Sequence, residues 1–374
     1  MRHLEIIRIS GRSELKKFIH LPSLLHKGHP NWVPPIYSDE WSYFDHKKNR
    51  AFAYCDTIIA LARLDGKTVG RIMGIINHRY NDARNEKDAR FSFFDCINDM
   101  EVSCQLLGLV EEWAINKGMT RIIGPFGMYY HDPIGFMIDG FDIKPSLTAN
   151  YNFEYIISLL QSAGYGCETD LVVYNIVIPD EFPDFYLRIQ KKAELNPRIR
   201  LLKFSTRKEL KHYIHPVLNL MNDSYTDIYG YSQLDEEEMK DVAGHFIPLL
   251  DPKFVVVVTY EDEVIGFTIA LPSINEGIIA AQGHLLPFGF LKILKAAKRS
   301  KQLDLLIGGI KGKYRGMGID ALMAVHIIEI AKKAGFTTID SHLELESNWK
   351  VRSEMEKMGG KVYKKYRIFQ KKLI

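Results

Sequence analysis

"GGIKGKYRGMGID", residues 308–320, puts five glycines and three cations between an apolar run, Leu303–Ile307, and a segment with helical periodicity. Glycines in that position free the backbone for left-handed turns and close approach, and let successive amides point into one concavity. A helix that starts just beyond them offers unpaired N–H groups and a partial positive charge. Lys311, Lys313 and Arg315 add charge around that concavity. Strand, glycine loop and helix in this order read as an anion-binding site, above all for phosphate. A tight turn with solvated cations would explain the loop alone, but not the strand before it and the helix after it. The stretch lacks the Gly-Lys-Ser/Thr of a P-loop, and its glycine spacing departs from the dinucleotide fingerprint.

The contrast with the first half of the chain sharpens that reading. Three pieces recur in the same order. A strand pair at 60–77 (ALARLDGKTVGRIMGIIN) matches one at 255–275 (VVVVTYEDEVIGFTIALPSIN). A helix, glycine and strand at 109–125 (LVEEWAINKGMTRIIGP) match those at 326–342 (HIIEIAKKAGFTTIDSH), and a further helix, glycine and strand close each half. The helices carry apolar residues three or four apart with a glycine after the last turn, and the strands are rich in Val, Ile and Tyr. With Gly118 aligned on Gly335, Gly316 and Gly318 fall opposite Asp99 and Glu101. One copy opens its helix with glycines and cations. The other opens it with acids, which cap the terminus and repel an anion.

The expected architecture is therefore α/β of the α+β kind: two tandem domains, each a mixed, mostly antiparallel sheet flanked by helices. Residues 1–178 form the copy without the glycine loop, 179–200 a proline-bearing linker, and 201–374 the copy with it. The second half is expected to open with helices at 208–221 and 234–246. A single large α/β domain with coincidental local likeness is the competing architecture.

Bulk properties set the outer limits. The 374 residues are 46% hydrophobic and 25% charged, with a net charge of +3, so any basic site must be local. The sequence shows no apolar run of bilayer-spanning length and no signal-peptide core at its start. Cys55, Cys96, Cys104 and Cys167 lack metal-ligand spacing and are too sparse for a disulfide framework. A reducing cytoplasm, with no metal, no nucleic acid and no membrane partner, is the expectation.

At this point "KYRGMGIDALM" resembles the acyl-CoA-binding signature of the GCN5-related N-acetyltransferases, in which Arg/Gln-x-x-Gly-x-Gly/Ala follows the fourth strand. "TTIDSHLELESNWKVRSEMEKMGG" resembles the fifth strand and fourth helix, and "FVVVVTYEDEVIGFTIALP" the second and third strands. The likeness covers most of 200–374. The first half is similar in layout only, and tandem members with one degenerate copy are a known variety of the family.

The resemblance implies that acetyl-CoA serves as acyl donor and a primary amine, on a small molecule or peptide, as acceptor. Cofactor contacts would come from Ile310, Lys311, Lys313, Tyr314, Arg315, Gly316, Met317, Gly318 and Ile319, with Asn348 at the family's contacting asparagine. The strand end Ile307–Ile310 would pair with the pantetheine arm where the fourth and fifth strands splay. A base would take the amine proton and an acid would protonate the thiolate.

Met355 stands where the family's tyrosine acid falls. Tyr363 or Tyr366 could replace it, the thiolate could leave unassisted, or this copy could bind CoA without turnover. For the base, strand alternation puts Asp340, His342, Glu344 and Glu346 on one face. Glu346 and then Glu344 are favoured, with His342 equally a solvated strand-end residue and His284 a weaker alternative. Tyr225, Tyr229 and Tyr231 form an aromatic loop expected to overhang the acceptor site, ahead of a helix capped at Ser232 to Glu238. The aromatic, glycine-rich stretch 124–142, with His131 and Asp132, either closes the cleft from the other half or is a packed surface loop.

Two other activities fit the same layout. Tandem domains of this shape also use aminoacyl-tRNA to build peptide bridges, though without the glycine loop, and a CoA-binding regulatory module would need no acid.

Overall fold

In a computed structural model, residues 2–147, 149–226 and 228–373 are described. The first half supplies β1 (Leu4–Arg8), β2 (Cys55–Leu64), β3 (Lys67–Asn77), β4 (Asp88–Cys96), β5 (Arg121–Gly124), β6 (Phe136–Asp139) and β7 (Gly166–Val177). The second supplies β8 (Ile199–Leu202), β9 (Val255–Tyr260), β10 (Glu263–Pro272), β11 (Gln302–Ile310), β12 (Thr338–Asp340), β13 (Glu344–Leu345) and β14 (Lys361–Lys372). Helices α1 (Arg12–Leu25), α2 (Tyr37–Tyr43), α3 (His78–Arg84), α4 (Met100–Asn116) and α5 (Tyr155–Ser162) belong to the first half. Then follow α6 (Asp184–Glu194), α7 (Arg207–Ser224), α8 (Glu236–Phe246), α9 (Asn275–Ala281), α10 (Gly289–Arg299), α11 (Ile319–Lys333) and α12 (Trp349–Lys357).

The described strands form one continuous sheet, in the order β1-β2-β3-β4-β5-β14-β7-β12-β11-β10-β9-β8. Its centre holds an exchange that the repeat pattern does not reveal. The last strand of each half lies in the sheet of the other. β14 pairs antiparallel with β5, and β7 pairs antiparallel with β12 and β13. The two exchanged strands also pair with each other along most of their length.

Packing follows the exchange. Val172, Tyr174 and Ile176 of β7 are buried with Val256, Ile265, Leu322 and Val325 of the second half. Phe369 of β14 is buried with Ile72, Phe91 and Leu106 of the first. Each core therefore depends on a strand from the other half.

Three further elements depart from the expected layout. The segment expected as a linker carries α6, whose Ile189 packs over Gly318 at the start of α11, and the edge strand β8. Two helices, α9 and α10, intervene between β10 and β11. The alternation expected along 340–346 fails because the strand is interrupted. Asp340 pairs with Asn175, and Glu344 with Val172, three positions along β7 rather than four. The extra residue is a bulge around His342, whose φ is 61°, and it sends Asp340 and Glu344 to opposite faces.

The contrast between the two helix starts holds in atomic detail. Asp99 caps α4 by accepting the Val102 amide at 3.1 Å, whereas α11 begins at Gly318 with no side-chain cap. Among the described residues no helix is long and apolar enough to cross a membrane.

Candidate functional site

β11 and β12 run parallel only from Gln302 to Asp304, opposite Thr338 to Asp340. Beyond Asp304 they part, helped by a register shift in β11 opposite Ile269 and Ala270. Leu305 to Ile310 then has β10 on one edge and open space on the other. A cavity of about 1770 Å³ occupies the gap and runs between the two halves. It is mainly apolar and exceeds the roughly 300–1,000 Å³ usual for drug-sized ligands.

The glycine loop forms one end of the cavity. Gly316 and Gly318 both have φ of 81°, a conformation that disfavours side chains. A Cβ on Gly316 would project into open space, so the backbone there is accessible. A Cβ on Gly318 would meet Ile189 Cγ2 at 2.7 Å. Among the described residues, the amides of Gly316, Gly318, Ile319 and Asp320 find no hydrogen-bond acceptor. Four unclaimed donors at an uncapped helix start suit a phosphate group.

The side chains around the loop divide. Ile310, Arg315 and Gly316 line the cavity, as does Asn348 at the start of α12. Lys311 and Lys313 instead converge on Glu263, at 2.8 and 2.9 Å, and Tyr314 Oη donates to the same carboxylate at 2.7 Å. Those hydrogen bonds, with Lys311 foremost, pull Glu263 down to about 2. One carboxylate thus offsets part of the loop's charge. Met317 is partly exposed, and Ile319 is buried in the core of the second half.

The expected catalytic residues also separate. Glu344 lines the cavity; Glu346 does not, and its amide donates to the Asp170 carbonyl. Among the described residues, the Glu344 carboxylate has neither a salt-bridge nor a hydrogen-bond partner, and burial alone pushes it up to about 8. Tyr363 donates to Asp340 Oδ2 at 2.5 Å, within a buried cluster where Lys364 Nζ and Ser146 Oγ each lie 2.8 Å from that carboxylate. Burial opposes ionisation of Asp340, but the Lys364 ammonium and these hydrogen bonds outweigh it. His342 Nε2 lies 2.9 Å from the Leu147 carbonyl. Tyr366 is fully buried and, like Tyr363, stands outside the cavity lining. The bulge at His342 explains this division, by turning the Asp340 side toward the β14 seam and Glu344 into the gap.

Tyr225, Tyr229 and Tyr231 all line the cavity. Tyr225 Oη donates to the Gly308 carbonyl of β11 at 2.6 Å, and Tyr231 Oη to Asn222 at 2.5 Å. Tyr130, from the aromatic stretch of the first half, packs edge-on against both Tyr225 and Tyr231, with centroids 5.9 and 5.4 Å away. Negative charge on Glu344 raises the pKa of both Tyr130 and Tyr225 after the larger effect of burial, which puts the carboxylate near them. The first half thus closes the cleft with Tyr130. The aromatic density of 124–142 was the signal for it, although no spacing in the sequence singles out that tyrosine. Farther into the first half, the lining continues through Trp32, Tyr43 and Phe93.

Splayed parallel strands, a bulged fourth strand and an uncapped, glycine-opened helix define the fold of the GCN5-related N-acetyltransferases, here in tandem. Solved structures agree. A tandem protein of this kind from the clavulanic acid biosynthesis pathway superposes with a TM-score of 0.57 at 11% identity, over all of this chain and 99% of that one. A GCN5-related N-acetyltransferase from Sphaerobacter thermophilus gives 0.52 at 12% identity, over 99% and 96%. Among curated proteins, the chain is similar to the bacterial ceramide synthase of Caulobacter vibrioides, with 26% identity over 379 residues, 99% of this chain and 98% of the other. It is also similar to protein YghO of Escherichia coli, with 24% identity over 97% of this chain and 94% of the other. No family model matches the sequence.

Proposed function

We propose that the protein is an acyl-CoA-dependent N-acyltransferase whose acceptor is a long-chain primary amine. The observation that carries this reading is the unpaired Glu344 carboxyl at the open edge of β11, in a large, mainly apolar cavity. The donor's phosphates would meet the free amides of Gly316 to Asp320, and its pantetheine arm would run along Leu305 to Ile310. The acyl group would then reach the Glu344 region.

The size and apolar lining of the cavity favour chain-bearing substrates over acetyl-CoA with a small polar amine. Each methylene removed from water contributes about 0.8 kcal/mol, so such walls select for length. The similarity to a bacterial ceramide synthase points the same way, because a ceramide is an N-acylated long-chain amino alcohol.

A carboxyl near 8 is suited to the proton transfers. An alkylammonium entering the cavity pairs with the carboxylate and gives it a proton, leaving a neutral amine. The amine nitrogen attacks the thioester carbonyl, and the C–S bond breaks as the C–N bond forms. Protonated Glu344 returns its proton to the departing sulfur, and then accepts the surplus proton of the new amide nitrogen. One proton per turnover passes to solvent. A carboxyl that both takes and returns the proton removes the need for a tyrosine where Met355 stands, and a thiolate of ordinary pKa near 8.5 is a fair leaving group.

The test is thiol release from acyl-CoAs of graded length, crossed with amines from ethanolamine to sphinganine. Activity that rises with both chain lengths supports the reading. Thiol release only with short polar amines, or with none, would overturn it.

A further inference from the structure

We propose that α10 and the turn before it dock the protein on an anionic lipid bilayer. This inference stands on the α9–α10 hairpin alone and does not depend on the acyl transfer.

The hairpin presents an apolar surface that the described residues leave uncovered. Leu286 is 79% exposed, Phe288 67%, Leu294 54% and Leu291 50%. The buried side of α10 is taken by α9: a Cβ on Gly277 would fall 2.5 Å from Ile293 Cα and 2.9 Å from Ala296 Cβ, so the two helices touch backbone to backbone. At 100° per residue, Ile293 and Ala296 mark the packed side of α10. Phe290, Leu294 and Leu291 occupy a neighbouring arc, with Lys298 among them, and Lys295, Arg299 and Lys292 the next.

From 285 to 301 the sequence holds four lysines and one arginine, and no acid.

 
These five cations, Lys292, Lys295, Lys298, Arg299 and Lys301, have no Asp or Glu among them in that stretch, against a net charge of +3 for the whole chain. Among the described residues, Lys295, Lys298 and Arg299 have no ion-pair partner, while Lys292 Nζ donates to the Ala280 carbonyl at 2.8 Å. An exposed apolar stripe flanked by cations suits the headgroup boundary of an anionic bilayer, where the rings and leucines enter and the lysines reach phosphates. Protein interfaces, by contrast, are depleted in lysine.

The hairpin is held in place and adjoins the cavity. Asn275 Nδ2 donates to the Pro145 carbonyl at 2.8 Å, and the Gly283 carbonyl accepts the Tyr37 amide at 3.0 Å. Ile274, Asn275 and Ile278, next to and on α9, line the cavity, so α10 lies one helix away from its wall. Docking would bring the cavity close to the bilayer. The expectation of no membrane partner rests on the absence of a spanning-length run, which docking at the headgroup boundary does not need. The signal was the interleaving of Phe and Leu with Lys over 286–299.

The test is flotation of the full chain with vesicles of phosphatidylcholine alone and of phosphatidylcholine mixed with phosphatidylglycerol. The expected result is at least about tenfold greater recovery with the anionic vesicles, reduced by salt. The variant Phe288→Ser/Leu291→Ser/Leu294→Ser should lose flotation with an unchanged melting temperature, since these side chains are exposed. Lys295→Gln/Lys298→Gln/Arg299→Gln should lose the preference for anionic vesicles. Absence of flotation by the wild type, or equal flotation of the apolar variant, would overturn the proposal. So would a wild-type dimer that the apolar variant turns into a monomer, which would assign this face to a second copy.

Discussion

Tyr225 Oη donates a 2.6 Å hydrogen bond to the Gly308 carbonyl, tying the turn after α7 to the stretch of β11 that has lost its parallel neighbour. The donor and acceptor are held where the sheet opens, so the bond fixes the strand edge along which the pantetheine arm is proposed to lie. Tyr225→Phe keeps the ring packing against Tyr130 and Tyr231 and removes only the hydroxyl. We expect acyl-CoA affinity to fall several-fold, in line with about 1 kcal/mol for a net hydrogen bond, with a modest drop in melting temperature. Calorimetric titration and a thermal melt read both quantities. Unchanged affinity would mean that this edge does not hold the donor.

Glu344→Gln removes the only proton acceptor proposed for the reaction while preserving shape. The expected loss in kcat is about 10²–10⁴-fold, with acyl-CoA binding nearly unchanged. In the wild type, kcat/KM should rise with pH toward about 8 as the carboxylate forms, and this limb should vanish in the variant. A variant that keeps both the rate and the limb would rule out Glu344 as the base.

The same carboxyl ties stability to pH. Its folded-state value, about 8, lies above the ordinary 4.5, so between those values the folded protein holds a proton that the unfolded chain releases. Its contribution is present below about pH 4.5 and is lost as pH rises toward 8, at up to about 1.4 kcal/mol per unit. Glu344→Gln should therefore gain melting temperature relative to the wild type at pH 9 more than at pH 5. Equal differences at the two pH values would contradict the buried, unpaired state.

At the glycine loop, Gly316→Glu places a carboxylate where the first half carries acids, whereas Gly316→Ala tests backbone strain alone. Because space beside Gly316 is open but φ is 81°, the alanine variant should cost about 1 kcal/mol of stability and little affinity. The glutamate variant should weaken acyl-CoA binding by more than about tenfold through repulsion at the helix start. Equal affinities for the two variants, measured by titration, would move the phosphate site elsewhere.

The exchanged strands predict that the halves do not fold apart. A fragment of residues 1–178 leaves β7 without β12 and β14, and one of 201–374 leaves β14 without β5 and β7. Neither should show a cooperative melt, and co-expression should return a stable complex that purifies through a tag on either fragment. Two independently folded fragments would show that the exchange is dispensable.

Much of the candidate site was legible because its signals are local. The glycines at 316 and 318, the cations beside them, and the acids at the matching positions of the first half are statements about backbone conformation and charge within a few residues. Helices and strands announce themselves by period in the same way, so the α11 and α4 regions and the strand pairs before them could be read directly. The charge on the loop was less simple than it looked, since Lys311 and Lys313 meet Glu263, a residue about fifty positions away in the hairpin of β9 and β10.

The tertiary structure decided what depends on partners distant in the chain. Two similar halves in sequence are compatible with two closed sheets or with one exchanged sheet, because β7 and β14 carry the same kind of strand pattern in either arrangement. Burial of Val172 in one core and Phe369 in the other follows from which neighbour each strand meets. The face that Glu344 presents was settled by a single extra residue at the His342 bulge, which period-two counting cannot anticipate. The sequence by itself determined the layered α/β halves and an uncapped helix start suited to phosphate. Tertiary packing alone decided the exchange, the cavity between the halves and the isolation of Glu344 within it, because long-range strand pairing and desolvation are properties of neighbours in space.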